Sequence, residues 1–133
     1  FSNYILEHKM RSLEILKYIR ESVSDDYRGF ELNYQPQVEV SSKQIKGVEA
    51  LLRWQCQELG KVSPVEFIPI LEESGLIIPV GLWVIKKAIQ ACSKWVVYDP
   101  EFSVSINVSA LQMLNSDFVK DVKKVLKKEK AGT

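Results

Sequence analysis

Glu49 and Arg53 are the residues of this chain whose types and spacing most invite chemistry. They stand in Gly47-Val48-Glu49-Ala50-Leu51-Leu52-Arg53-Trp54, a stretch that is otherwise mostly apolar. Side chains two apart on a strand share a face, so Glu49, Leu51 and Arg53 belong to one face and Val48, Ala50 and Leu52 to the other. A carboxylate can hold a hard cation, and a guanidinium can hold phosphate oxygens. At roughly 3.3 Å per residue the two groups lie about 13 Å apart along the strand, which suits two points of one large ligand better than a mutual ion pair. Alone, such a pair reads as solvated surface chemistry. The apolar neighbours change that reading: they predict a largely buried strand, where a carboxylate has to be neutralised, paired or bound to metal.

Two further residues offer compatible chemistry. Asn107 stands on a serine-rich strand face and could be a satisfied polar residue at a rim, or a neutral oxygen donor beside carboxylates in a magnesium or manganese shell. Gln35, just before Pro36, could end a strand or use its amide to read a base edge or a phosphate. His8 has no partner at a ligand spacing and reads as a packed or solvated histidine. Trp54, Trp83 and Trp95 read as core or interface packing. Lys123, Lys124, Lys127, Lys128 and Lys130 sit where positive charge suits a helix C-terminus, without the interleaved aromatics that stack bases. The sequence carries no glycine-rich phosphate loop, no paired Cys and His metal signature and no nucleophile elbow.

The elements that must position these residues follow from periodicity and caps. Ile5, Leu6, Met10, Leu13, Leu16 and Ile19 recur at helical steps and predict a helix over 4–23. It reads as a connector from an upstream module, or as a helix packed on its own domain. Phe30 to Gln35 alternates and predicts a strand stopping at Pro36. Val38-Glu39-Val40 and Gln44 to Val48 flank a polar turn too short for a parallel crossover, so the pairing there is expected to be antiparallel. Ser63, Pro64 and Glu66 mark a helix start, and Gly75 its end. A second helix is expected from about Pro79 to Trp95. Phe102 to Ser109 alternates strictly, with Phe102, Val104, Ile106 and Val108 apolar on one face, Asn107 and the serines on the other. Asn115 or Ser116 can cap a third helix. No internal repeat or low-complexity tract interrupts this order.

Composition sets the class. With 133 residues, 46% hydrophobic and 26% charged, the chain has the make-up of a single globular domain. Eighteen basic and 17 acidic side chains leave a net charge of +1, so no global field draws it to nucleic acid or an anionic membrane. Cys56 and Cys92 lack a disulfide framework spacing and predict reduced thiols in the cytoplasm. No run approaches the ~20 apolar residues of a spanning helix. The first residue is Phe1, not Met, so excision from a longer protein is expected.

Tyr34-Gln35-Pro36, Glu49-Ala50-Leu51-Leu52-Arg53-Trp54, Pro64 with Glu66-Phe67-Ile68-Pro69, Glu72-Glu73-Ser74-Gly75-Leu76-Ile77, Gly81 with Trp83-Val84, and Ser105-Ile106-Asn107-Val108-Ser109-Ala110 together resemble successive blocks of the EAL domain. That is a family of bacterial cyclic-di-GMP phosphodiesterases named for the tripeptide seen here as Glu49-Ala50-Leu51. Several blocks in order over about a hundred residues carry the likeness, where the tripeptide alone would carry nothing. The resemblance implies an α/β fold, the N-terminal part of a TIM-type (β/α)8 barrel with an antiparallel early strand and about three of eight strands present, residues 1–24 being a connector helix and 25–133 the incomplete domain. It implies that Glu49 and Asn107 are ligands of Mg2+ or Mn2+, that Gln35, Leu52 and Arg53 contact cyclic-di-GMP, and that the intact domain hydrolyses it to linear pGpG.

The sequence stops where the family continues: a further glutamate ligand, an aspartate pair, a lysine and a glutamate base have no counterpart here. The chain alone is therefore expected to be inactive, and its open sheet edges to favour self-association or domain swapping. A sensor or diguanylate-cyclase-type module is expected upstream in the parent. The alternatives are a degenerate EAL domain that acts as a cyclic-di-GMP receptor or protein-interaction module, and a small independent α/β interaction module.

Overall fold

The computed structural model describes residues 2–107 and 116–131. Helix α1 (Ser2–Ser24) leads into strands β1 (Phe30–Val38), β2 (Ile45–Cys56) and β3 (Gly60–Val62), then α2 (Pro64–Ser74), α3 (Ile77–Trp95), β4 (Ser103–Ile106) and α4 (Ser116–Ala131). β2 is the central strand. β1 lies antiparallel along one side of it, Phe30 opposite Trp54 and Gln35 opposite Glu49. On the other side β3 pairs antiparallel with Trp54 to Cys56, and β4 pairs parallel with Gly47 to Ala50.

The period-2 alternation of β1, β2 and β4 separates two faces. Phe30, Leu32, Leu52, Trp54, Val62 and Ile106 join the helices in one apolar cluster with Ile15, Ile19, Phe67, Leu71 and Val80. Trp54 is central: its ring packs against Phe30 and Phe67 with centroids 6.1 and 6.2 Å away, and its Nε1 donates to Ser22 Oγ at 3.0 Å. α1 therefore belongs to this core through Ile15, Ile19 and Ser22, while its residues 3–10 are exposed.

Local signals act as the sequence predicts at α2. Ser63 is the N-cap, its Oγ accepting from the Val65 N–H at 3.3 Å, Pro64 follows it, and Gly75 closes the helix at φ 80°. Glu66 is turned toward Arg11 of α1 at 3.3 Å, across a half-exposed pair of little energetic weight. Ser63→Ala is expected to cost about 1 kcal/mol, read as a lower urea midpoint with an unchanged slope.

Two boundaries differ from expectation, and one short strand was not expected. β1 does not stop at Pro36 but runs to Val38 with Pro36 opposite Val48. β1 pairs only with β2 among the described residues, and a proline without an N–H is tolerated on such an outer edge. α3 begins at Ile77, two residues before Pro79, whose missing N–H falls in the unpaired first turn. β3 was not foreseen, because three residues are too few to show a period; the positive φ of Gly60, 68°, turns the chain back after Cys56. β4 covers Ser103–Ile106 of the expected 102–109 strand, and Val108 and Ser109 lie outside the described residues.

Asp26 and Tyr27 take left-handed backbone conformations, φ 53° and 62°, in the turn before β1. The Tyr27 ring stacks on Trp83 with centroids 5.8 Å apart. Burial, and secondarily the Asp26 carboxylate, raises the Tyr27 hydroxyl above 10, and burial raises that of Tyr34. A raised folded value means that the folded state holds these protons more tightly than the unfolded chain. Their contribution is complete below pH ~10 and is lost as pH rises through the raised values. Stability to urea is expected to decline above pH ~10, and Tyr27→Phe to flatten that decline.

Candidate functional site

The face of the sheet turned away from the helices carries the polar residues. On β1 it bears Glu31, Asn33, Gln35 and Gln37, on β2 Glu49, Leu51 and Arg53, and on β4 Ser103 and Ser105, continuing to Asn107. Gln35 lies directly opposite Glu49, and Ser105 opposite Glu49 from the other side. Asn107 Nδ2 donates to Glu49 Oε1 at 3.1 Å, joining residues 58 positions apart. Gln35, Glu49, Arg53 and Asn107 thus share one face.

Leu52 points the other way and packs on the core cluster, but it also lines a cavity of about 380 Å³ with Arg53 and Asn107. Along β2 the cavity is lined from Ala50 to Arg53, and from β4 by Ile106. Its apolar wall comes from α2 and α3, including Ile68, Val80 and Val84. Glu72 also lines it. Sequence reasoning passed over this residue; the available signal was Pro64, Ile68 and Glu72 at four-residue steps, an acid ending one stripe of a helix.

The burial expectation for β2 needs correction. Val48, Ala50 and Trp54 are buried, but Glu49, Leu51 and Arg53 are half-buried. The apolar run reflects one covered face plus Leu51, not a strand covered on both sides. Glu49 therefore meets solvent as well as Asn107, and burial alone does not demand a counter-ion. Arg53 Nη1 donates to the Leu52 carbonyl at 3.1 Å, and Arg53 stands opposite Glu31 in the β1–β2 register.

Glu49 and Asn107 present oxygen-bearing side chains from neighbouring strands at contact distance, the donor type that hard divalent cations prefer. Among the described residues no group of three Asp, Glu, His or Cys side chains could hold a metal ion. The pair fits as part of a shell whose remaining positions water or other groups would fill. Also among the described residues, no single helix is long and apolar enough to cross a membrane.

The model of the EAL domain family matches residues 18–132. The chain belongs to the EAL domain family. Its four strands, with β1 against β2 and β4 parallel to β2, form part of the TIM-type barrel of EAL domains. It is 34% identical over 119 residues to the cyclic di-GMP phosphodiesterase PA2567 of Pseudomonas aeruginosa, covering 90% of this chain and 20% of that protein. It is similar in structure to the EAL enzyme Bd1971 in its cAMP-bound form, with TM-score 0.78 and 32% identity over 96% of this chain and 36% of that one. The phosphodiesterase PaMucR in complex with c-di-GMP matches with TM-score 0.77 and 31% identity, over 86% of this chain and 47% of that one. The chain thus spans about a fifth of PA2567 and less than half of either solved chain. The residues matched include the last part of α1, Tyr18 to Ser24, in line with the packing of Ile19 and Ser22 in the core.

Proposed function

We propose that this EAL chain supplies one wall of the active site of a metal-dependent cyclic-di-GMP phosphodiesterase, which opens its substrate to linear pGpG. The observation that carries the proposal is the 3.1 Å contact of Asn107 with Glu49 on the face shared by Gln35 and Arg53. Glu49 and Asn107 would hold Mg2+ or Mn2+. When bound, such an ion supplies an activated water and neutralises charge on the phosphoryl oxygens. Arg53 would donate its guanidinium N–H groups to phosphate oxygens, a charge-assisted contact with directional preference. Gln35 would offer amide donor and acceptor to the same ligand. Leu52 and the cavity wall would give apolar contact to its planar bases.

Two ligand side chains leave a hard cation weakly held and its water poorly aimed, so the chain alone is expected to turn over no cyclic-di-GMP, with hydrolysis residing in the longer protein. We place that protein in the cytoplasm, with a sensor or diguanylate-cyclase-type module upstream of α1. The outer edge of β4, which pairs only with β2 among the described residues, is the place for self-association of the isolated chain, checked by light scattering across a dilution series.

The test is chromatographic detection of pGpG from cyclic-di-GMP with Mg2+ or Mn2+, using the longer protein. Arg53→Ala is expected to raise KM about 10- to 100-fold, the loss of a hydrogen bond to a charged group. Binding of cyclic-di-GMP without any pGpG would replace the enzyme by a receptor. Neither binding nor turnover would defeat the site reading.

A further inference from the structure

Gly47 is a buried glycine inside β2, where glycine is intrinsically unfavourable. Its φ is not in the left-handed region, unlike those of Gly29, Gly60 and Gly75. The backbone conformation therefore does not require glycine, but the space does. A Cβ at this position would collide with the Ser103 carbonyl oxygen and lie 2.8 Å from Ser103 Oγ. The first obstacle is main chain of β4 and cannot turn away as a flexible side chain would.

Gly47 opposite Ser103 is the first pair of the parallel β2–β4 ladder, and Glu49 opposite Ser105 lies two residues on. Asn107 follows two residues after that and meets Glu49 at 3.1 Å. A second contact crosses the same point: Ser105 Oγ on β4 and Gln37 Oε1 on β1 are 3.4 Å apart, reaching over β2 where it carries no side chain. A side chain at 47 would push β4 outward at the root of the ladder, and Asn107 with it.

We infer that Gly47 is a positioning residue, which sets the separation of β2 and β4 so that Asn107 and Glu49 act on one cation; the inference rests on the reading of that pair as ligands. It adds a requirement at a residue that itself offers no ligand atom.

The experiment is Mn2+ titration of the longer protein, where the cation shell is completed, followed by loss of the free-ion electron paramagnetic resonance signal, with thermal melts alongside. Gly47→Ala is expected to weaken binding about 10-fold, the scale of losing a group that orients a ligand. Asn107→Gln alone is expected to weaken it too, whereas adding Asn107→Gln to Gly47→Ala should recover affinity, because one extra methylene spans the widened gap. Ser103→Ala added to Gly47→Ala should recover nothing, since the carbonyl remains. Wild-type affinity in Gly47→Ala, or no recovery by Asn107→Gln, overturns the inference. Glu49→Gln tests the underlying reading separately: unchanged Mn2+ affinity there defeats the ligand assignment itself. If Gly47→Ala loses its cooperative melt, the titrations are repeated in trimethylamine N-oxide, which favours compact states. A chain still unfolded there makes Gly47 a folding residue and also overturns the inference.

Discussion

Trp54→Ala is expected to abolish the cooperative melting transition of this chain. Trp54 is 2% exposed and sits where α1, β1, β2 and α2 meet, against Phe30 and Phe67. Large aromatic-to-alanine changes in cores cost about 3–5 kcal/mol. The same substitution takes the indole donor from Ser22 Oγ, itself on a residue 7% exposed. A buried polar atom left without its partner adds about 1–3 kcal/mol. Their sum approaches the ~5–15 kcal/mol that holds a typical domain together. Trp54→Phe, which keeps most of the apolar area and loses only the donor and one ring, should melt cooperatively at reduced temperature. Calorimetry and near-ultraviolet circular dichroism read both. A wild-type melt for Trp54→Ala would mean that the core is not centred on this ring.

Glu49→Ala, five residues away on the same strand, is expected to do the opposite. In the longer protein it should lower cyclic-di-GMP hydrolysis by ~100-fold or more, since even groups that only orient a metal ligand are worth about 10- to 100-fold. Its effect on stability should stay within about 0.5 kcal/mol, the range for surface substitutions away from special features. The reason is geometric: Glu49 is half-buried on the face away from the helices and is met by the exposed amide of Asn107. Parallel measurement of pGpG formation and melting temperature checks both halves. A large loss of stability with activity retained would return Glu49 to the structural residues and leave the phosphodiesterase proposal without its ligand.

The contrast between Trp54 and Glu49 shows how parity of position divides the strand between fold and chemistry. Much of that division was legible before any coordinates. Strand geometry has a fixed two-residue period, so Glu49 and Arg53 had to share a face, and Leu52 the opposite one. Ser63 with Pro64 and Gly75 marked the ends of α2 because capping needs only neighbouring atoms. The turn at 41–43 was too short for anything but an antiparallel return. The ordered blocks around Glu49-Ala50-Leu51 pointed to the EAL family, to which the chain belongs.

What escaped the sequence was decided between elements. The apolar run around Glu49 looked buried on both sides because a sequence does not say how many faces are covered; among the described residues helices cover only one. Pro36 looked like a strand end because its tolerance depends on which neighbour its missing N–H faces, and β1 has a partner only at β2 among the described residues. β3 exists through its pairing with Trp54 to Cys56 rather than through any pattern of its own. Glu72 joins the cavity with Arg53 only once α2 is laid against β2.

The sequence by itself determined the period of each element, the caps of α2 and the common face of Glu49 and Arg53, since these depend on covalent geometry and contacts within a few residues. Only the tertiary structure decided that Asn107 reaches Glu49 and that a Cβ at Gly47 would collide with the Ser103 main chain. Both depend on how closely β4 settles against β2, a distance between chain segments more than fifty residues apart that no local period encodes.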